Sequence, residues 1–288
     1  MSSLEKGILY IVATPIGNLQ DITFRAIEIL KKVEIILAED TRVTSKLLST
    51  LSIRNQQILI SCHDFNEEQR IEQVKQLLDD NKNIALVSDA GTPLISDPGY
   101  KIVVTLRRDG YTIVPIPGAS AVITALSASG LPSNSFVFKG FLSSKKNKRQ
   151  QELESFIKLN STVIIYESVH RIRYLLDDIS EILPACNIVV VKELTKQFEQ
   201  FLSGKAYEIK KYFVDNPDRL KGEFVILLDC NKSNQLNIES NIDQETFLKE
   251  LLLELPLNKA VKITTKVLNL KKNEVYEKAL QFKKRLEN

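Results

Sequence analysis

A chain of 288 residues, 43% hydrophobic and 26% charged, is long enough for two compact cores and has the make-up of a soluble globular protein. Its formal charge of +3 decides nothing about nucleic acid, because such partners read local patches rather than totals. A membrane span is excluded, since no apolar run approaches the ~20 residues one needs, and the start MSSLEKGILYIV enters a strand pattern without the layout of a signal peptide.

The first half alternates strands with helices. ILYIVAT (8–14) is strand-like; after the loop PIGN comes the helical pattern DITFRAIEILKKV, which Asp21 fits as a cap. Ile22, Ala26, Ile29, Leu30 and Val33 share one face of that helix. EIILAED (34–40), QILISC (57–62), NIALVSDA (83–90) and YTIVPIP (111–117) are further strands, separated by the amphipathic TRVTSKLLSTL, EEQRIEQVKQLLDD and GYKIVVTLRRDG. Such alternation predicts a largely parallel sheet covered on both faces.

A second α/β set begins near Pro117-Gly118. AVITALSASGL is a small-residue helix, FVFKGFL, STVIIYES, NIVVVKEL and EFVILLDC are strands, and HRIRYLLDDISEIL and AYEIKKYFVDN are helices between them. The expected organisation is an N-terminal α/β domain over 1–117, a second over 118–230, a polar linker over 231–242 and a helical appendage over 243–288. The last two helical patterns of that appendage have helix-turn-helix proportions.

The chemistry collects at strand ends. TPIGN, AEDTR, CHDFNEE, SDAGTP and PGAS follow the first five strands, and ligands of parallel sheets sit beyond carboxyl ends, so these stretches point to one crevice. In VSDAGTPLISDPGY, Asp97 fits the cap of the next helix and Pro98 its first turn. Asp89 and Gly91 have no such structural role, and an acid beside a glycine suits a ribose or an ammonium group, or else a turn. Ser120 opens a helix whose first amides could hold a carboxylate.

Absences narrow the chemistry. No GxGxxG follows a strand, no Walker-type loop exists, no GxSxG elbow appears, and His63 and His170 form no triad. Cys62, Cys186 and Cys230 are far apart with no CxxC spacing; they read as reduced cytoplasmic thiols and, with two histidines, build no zinc site. Two basic patches favour an RNA or other acidic partner: SSKKNKRQ (143–150), with four bases and no acid, and residues 258–288, with nine Lys/Arg against three Glu.

The motifs LYIVATPIGNLQDITFRAIEIL, AEDTR, SDAGTPLISDPGY, PIPGASA, LSASGLP, GFL, YESVHRI, KELTKQFE and KGEF occur in the order of a known family. Over nearly the whole length the chain resembles the ribosomal RNA small subunit methyltransferase I family, within the tetrapyrrole methylase superfamily. It departs from the family pattern at Ala13, Ala119 and Val169, where prolines are usual. It departs again at Cys62, Asp64 and Phe65, where Tyr, Glu and a second His are usual; Phe65 cannot take over a histidine's duty.

The resemblance implies two α/β domains with the site in the cleft between them, a homodimer, and S-adenosylmethionine as methyl donor. The implied substrate is a cytidine 2′-hydroxyl in the decoding centre of 16S ribosomal RNA within the small subunit. Carried over by motif, the donor pocket comprises Ile16, Gly17, Asp89, Gly91, Thr92, Ser120, Ala121, Tyr166, Gly222 and Glu223. A ribose hydroxyl needs a base or a strong orienting group, for which Glu39, Asp40, His63 and Glu167 are candidates. Arg42 suits a phosphate, and Lys145, Lys146, Lys148 and Arg149 are the expected RNA contacts of the first basic patch. Two alternatives stay open: a methylase of a small tetrapyrrole-like substrate, for which the basic patches have no evident use, and a non-catalytic RNA binder, which would not need the donor loops.

Overall fold

The computed structural model describes residues 6–53, 56–230, 244–268, 270 and 272–286. Residues 1–231 and 232–288 form separate compact units.

In the first unit, strands β1 (Leu9–Val12), β2 (Ile35–Ala38), β3 (Ile58–Ser61), β4 (Ile84–Val87) and β5 (Ile113–Ile116) alternate with helices α1 (Phe24–Lys32), α2 (Thr41–Thr50), α3 (Glu67–Asp79) and α4 (Tyr100–Arg108). The strands lie in the order β3-β2-β4-β1-β5, every neighbouring pair parallel. Period-two alternation divides each strand between two cores. Leu9, Ile35, Leu37, Ile84 and Leu86 meet Val74, Leu78, Ile102 and Leu106 of α3 and α4. Val12, Ile36, Ala38, Ala85 and Val87 meet Ala26, Leu30 and Leu48 of α1 and α2. Both faces are buried, which is why these strands read as unbroken apolar runs. The cap of α1 is Thr23, whose hydroxyl accepts the Ala26 amide at 3.1 Å, and not Asp21. Asp21 instead ends a short 3₁₀ turn, Leu19–Asp21, that Asn18 caps.

The second sheet comprises β6 (Phe136–Phe141), β7 (Thr162–Ser168), β8 (Ile188–Lys192), β9 (Gln200–Gly204) and β10 (Glu223–Asp229), ordered β6-β7-β10-β8-β9. Here only β6 and β7 pair in parallel; β10 runs antiparallel between β7 and β8. β9 was not among the expected strands, because QFLSG is a half-exposed edge segment paired to β8 alone. Helices α6 (Lys146–Phe156), α7 (Ile172–Ile182) and α8 (Ala206–Asp215) supply Leu153, Phe156, Leu175, Leu176, Ile179, Ile209 and Phe213 to the core on one face. Helix α5 (Ala121–Ala128) packs Val122, Ala125 and Leu126 against Ile164, Val189, Val191, Val225 and Leu227 on the other.

The second unit contains α9 (Gln244–Glu254), α10 (Leu257–Val267) and α11 (Lys272–Leu286), around Leu248, Ala260, Val261, Val275, Ala279 and Phe282. The linker expected at 231–242 lies outside the described residues.

Candidate active site

The order of the first sheet decides which strand ends meet. β4 lies between β1 and β2, so the loops following all three adjoin, while β3 sits at the edge. The loops after β1 and β4 are stitched by paired backbone hydrogen bonds, Thr14 N–H to Gly91 O at 2.8 Å and Gly91 N–H to Thr14 O at 3.1 Å. The Thr14 hydroxyl adds a bond to Ser88 O at 3.1 Å. Gly91 makes this bridge at φ +86°, a conformation that L side chains rarely adopt. The Asp40 amide donates to Asp89 Oδ1 at 3.0 Å and the Asp89 amide to Glu39 Oε2 at 3.2 Å, joining the ends of β2 and β4. Thr92 Oγ1 donates to Ala119 O at 3.0 Å, reaching the loop after β5.

These loops wall a cavity of about 420 Å³, a size suited to a small cofactor. The second sheet closes it with Phe141, Tyr166, Glu167, Val191, Glu193, Lys196, Glu223 and Val225. Of the donor-pocket residues expected from sequence, Ile16, Asp89, Gly91, Thr92, Ser120, Ala121, Tyr166 and Glu223 line this cavity. Gly17 and Gly222 lie just outside it: Gly17 packs closely on Leu194 O and Thr195 Oγ1, and Gly222 on the Glu193 carboxylate. Ser120 stands at the N-cap of α5 without a capping hydrogen bond from its side chain, and the Val122 amide of that first turn lies beside the Tyr166 hydroxyl. Burial pushes the Tyr166 phenol up to about 12.

The electrostatics are one-sided. Among the described lining residues, Glu39, Asp89, Asp97, Glu167, Glu193 and Glu223 are carboxylates, and Lys196 is an amine that pairs with Glu193 at 3.1 Å and Glu223 at 3.6 Å. Burial, assisted by neighbouring carboxylates (Asp89 and Asp64 for Glu39, Asp40 for both), pushes the carboxyls of Glu39 and Asp89 up. Such a wall attracts cations and disfavours a phosphate at depth.

Asp97 is the main correction to the sequence reading. It does not cap α4, which begins at Tyr100 with Gly99 at the N-cap, φ +121°. The chain reaches that helix through left-handed conformations at Leu94 (φ 72°) and Ser96 (φ 70°), and non-glycine residues adopt these at a cost of about 1–3 kcal/mol each. The detour brings Asp97 into the cavity wall, beside the Ser88 hydroxyl. Burial first, then Glu39, Asp89 and Asp64, push its carboxyl up to about 6.

The catalytic candidates separate. Glu39 and Glu167 line the cavity; Asp40 and His63 do not. Asp40 is locked to the Arg42 guanidinium at 2.6 Å, which holds its carboxyl down to about 2, so Arg42 is also engaged. His63 follows the edge strand β3, is not among the residues lining the cavity, and sits beside the Asn66 amide. Glu167 is 2% exposed, bonded to the Ser168 amide at 2.8 Å and paired with Arg171 at 3.3 Å, while burial pushes its carboxyl up. In the basic stretch, Lys145, Lys146 and Lys148 are exposed, but Arg149 is not available to a polyanion. Its guanidinium is buried against Asp178 at 2.6 Å and donates to Ser143 O and Ser144 O, so it braces the loop instead. Sequence reasoning missed Asp97, Phe141, Glu193 and Lys196. The KELTKQFE motif, whose Glu193 and Thr195 adopt positive φ, was the available signal for the last two.

Comparison with known proteins agrees with this architecture. Residues 8–210 match the family model described as Tetrapyrrole (Corrin/Porphyrin) Methylases, and residues 239–283 match the one described as RsmI C-terminal HTH domain. Ribosomal RNA small subunit methyltransferase I of Haemophilus influenzae is 42% identical over 94% of this chain and 95% of its own length; that of Escherichia coli O157:H7 is 43% identical over 96% of each. The chain belongs to the ribosomal RNA small subunit methyltransferase I family. Its fold is shared more widely. Uroporphyrin-III C-methyl transferase from Thermus thermophilus, solved as a complex with S-adenyl homocysteine, has TM-score 0.52 at 16% identity, covering 77% of this chain and 97% of that one.

Proposed function

We propose that this protein uses S-adenosylmethionine to methylate the 2′-hydroxyl of a cytidine in the decoding centre of 16S ribosomal RNA. Family membership supports RNA methylation. The observation that carries the chemistry is the acid-lined cavity where the strand ends of the first sheet meet the face of the second. The donor bears two positive centres, a sulfonium and an ammonium, which the acidic lining around Glu39 and Asp89 complements. Close backbone approach at Gly91 and the small side chains of Ser120 and Ala121 leave it room, and the start of α5 suits its carboxylate. When bound, S-adenosylmethionine supplies an electrophilic methyl group on positively charged sulfur.

The protein's own contribution is positioning and proton transfer. Ile16, Asp89, Thr92, Tyr166 and Glu223 hold the donor, with Gly17 and Gly222 shaping the loops around it. Asp97 takes the proton of the 2′-hydroxyl: it lines the cavity, and its raised carboxyl matches general-base duty near neutral pH. Glu39 and Glu167 orient the same region. The RNA backbone stays at the rim, near Lys145, Lys146 and Lys148. In this reading the residues up to 117 and from 118 to 230 act as two domains flanking the cleft, and the protein works as a cytoplasmic homodimer. A small tetrapyrrole-like substrate is the weaker alternative, because it gives the basic C-terminal unit no task.

The test is nucleoside mass spectrometry of 16S ribosomal RNA from small subunits of gene-deleted cells, before and after incubation with the protein and donor. A gain of 2′-O-methylcytidine is expected; no gain on subunits at any stage of assembly would sink the proposal.

A further inference from the structure

Strand β6 carries one residue too many for its partner. It pairs Phe136 with Thr162, Val137 with Val163 and Phe138 with Ile164, then skips Lys139 and resumes with Gly140 opposite Ile165 and Phe141 opposite Tyr166. Side chains alternate faces along a strand, so Phe138 and Phe141, three apart, would ordinarily point in opposite directions. The bulge restores their parity. Both rings now flank Tyr166 edge-on, Phe138 at 4.8 Å and Phe141 at 5.7 Å between centroids. A glycine enables this: Gly140 sits at φ +64°, and a Cβ there would come within 3.0 Å of Ser96 Oγ. The bulge thus abuts the loop that carries Asp97.

The three rings form a row from core to surface. Phe138 packs on the core around Val122 and Ile164, Tyr166 is half-buried, and Phe141 lines the cavity yet is 56% exposed. Ile95, on the Asp97 loop, also lines the cavity and is exposed. Without the bulge, Phe141 would point to the opposite face of the sheet, where Val163 and Ile165 are buried. The fold instead presents a large aromatic ring to water at the mouth of an acidic cavity. Exposed cations lie along the same segment, at Lys139, Lys145 and Lys148.

We infer that Phe141 is the platform on which the target nucleobase stacks, so that its ribose hangs over Asp97 while the phosphates remain outside among the lysines. This rests on the RNA-methylation reading above. Single-stranded RNA is recognised with its bases splayed out and stacked on aromatic side chains, and such faces are the sequence-tolerant way to hold an unstacked base. Phe141 is therefore a positioning residue for RNA and not part of the donor seat.

The experiment compares wild type with Phe141→Ala, Phe141→Leu and Phe141→Trp, using unmethylated small subunits for steady-state kinetics and S-adenosylmethionine for calorimetry. Phe141→Ala should raise KM for subunits by about ten- to a hundredfold, the range for losing one base–aromatic stack. Donor affinity should stay within about twofold of wild type. Phe141→Trp should restore most of the loss, and Phe141→Leu, apolar but without a π-face, only part. A loss of donor affinity in Phe141→Ala would assign the ring to the donor and overturn the inference, as would wild-type KM in Phe141→Ala or full rescue by Phe141→Leu. Should Phe141→Ala melt early, the Leu and Trp variants, which keep the bulk, decide alone. If wild type itself adds no methyl group, the underlying function fails instead, a result distinct from any of these.

Discussion

The first sheet reaches the cavity with its loop ends, whereas the second reaches it with a face. Every strand of the first runs parallel, so its carboxyl ends lie on one side and the segments after β1, β2, β4 and β5 converge without further device. The mixed second sheet has no such common end. It contributes through a bulged strand, through Tyr166 on an inner strand, and through the turn after β8 that holds Glu193 and Lys196. The first sheet thereby supplies Glu39, Asp89 and Asp97, and the second supplies the other three carboxylates, the aromatic row, a buried brace and the neighbouring lysines.

The sharpest way to break this division is Asp97→Asn. If the first-sheet loops hold the chemistry, kcat on small subunits falls about 10²–10⁴-fold, the usual worth of a general base, while donor affinity measured by calorimetry changes little. Wild-type activity should fall as pH drops below about 6, where Asp97 takes up its proton, and the variant's profile should lose that limb. The stability sign is opposite to that of a salt-bridged acid. The folded carboxyl, at about 6, lies above its ordinary 3.8, so the native state binds more protons and stability declines as pH rises between those values. Asp97→Asn should therefore melt higher than wild type near pH ~7.5, and the gap should narrow near pH ~4. A variant that melts lower at both pH values would show Asp97 to be a structural residue.

On the second sheet's side, Asp178→Ala leaves the Arg149 guanidinium buried and unpaired. A stability loss of about 3–5 kcal/mol is expected in urea unfolding. The exposed pair of Lys146 with Glu181, at 3.4 Å, should by contrast contribute at most about 1 kcal/mol. Equal effects from Asp178→Ala and Glu181→Ala would erase the distinction between brace and RNA-facing lysines.

The smallest effect is expected in the C-terminal unit. Lys259, Lys262 and Lys266 are exposed and spaced to share one side of α10. Replacing all three with Ala should weaken subunit binding about equally for any RNA sequence and flatten the salt dependence by about 3 in slope, with donor affinity untouched. An unchanged slope in filter binding would remove this helix from the RNA interface.

Legibility in the sequence follows the same division. SDAGTP, TPIG and PGAS could be placed at one crevice because a parallel sheet brings all its carboxyl ends together whatever its strand order. Strand order was not legible, and it separates Glu39, after the strand next to the central β4, from His63, after the edge strand β3. Asp97 was misread because SDPG satisfies the local rule for a helix start, while the left-handed residues at 94 and 96 move the start to Tyr100. Arg149 was misread because SSKKNKRQ looks uniformly basic. Helical periodicity turns one of its four bases inward, and only packing against α7 supplies the Asp178 that neutralises it.

By itself the sequence determined the alternation of strands and helices, the two α/β sets, the polar strand ends and the family, because each rests on local pattern or on motifs read along the chain. Tertiary structure alone decided which acids share a cavity, that β10 inserts between β7 and β8, and that a single extra residue turns Phe141 toward the site. Those features depend on pairing register and on contacts between distant segments, for which a local pattern carries no record. The same physics applied at two ranges: backbone preference chose the elements, and burial of charge and parity of strands chose what they present.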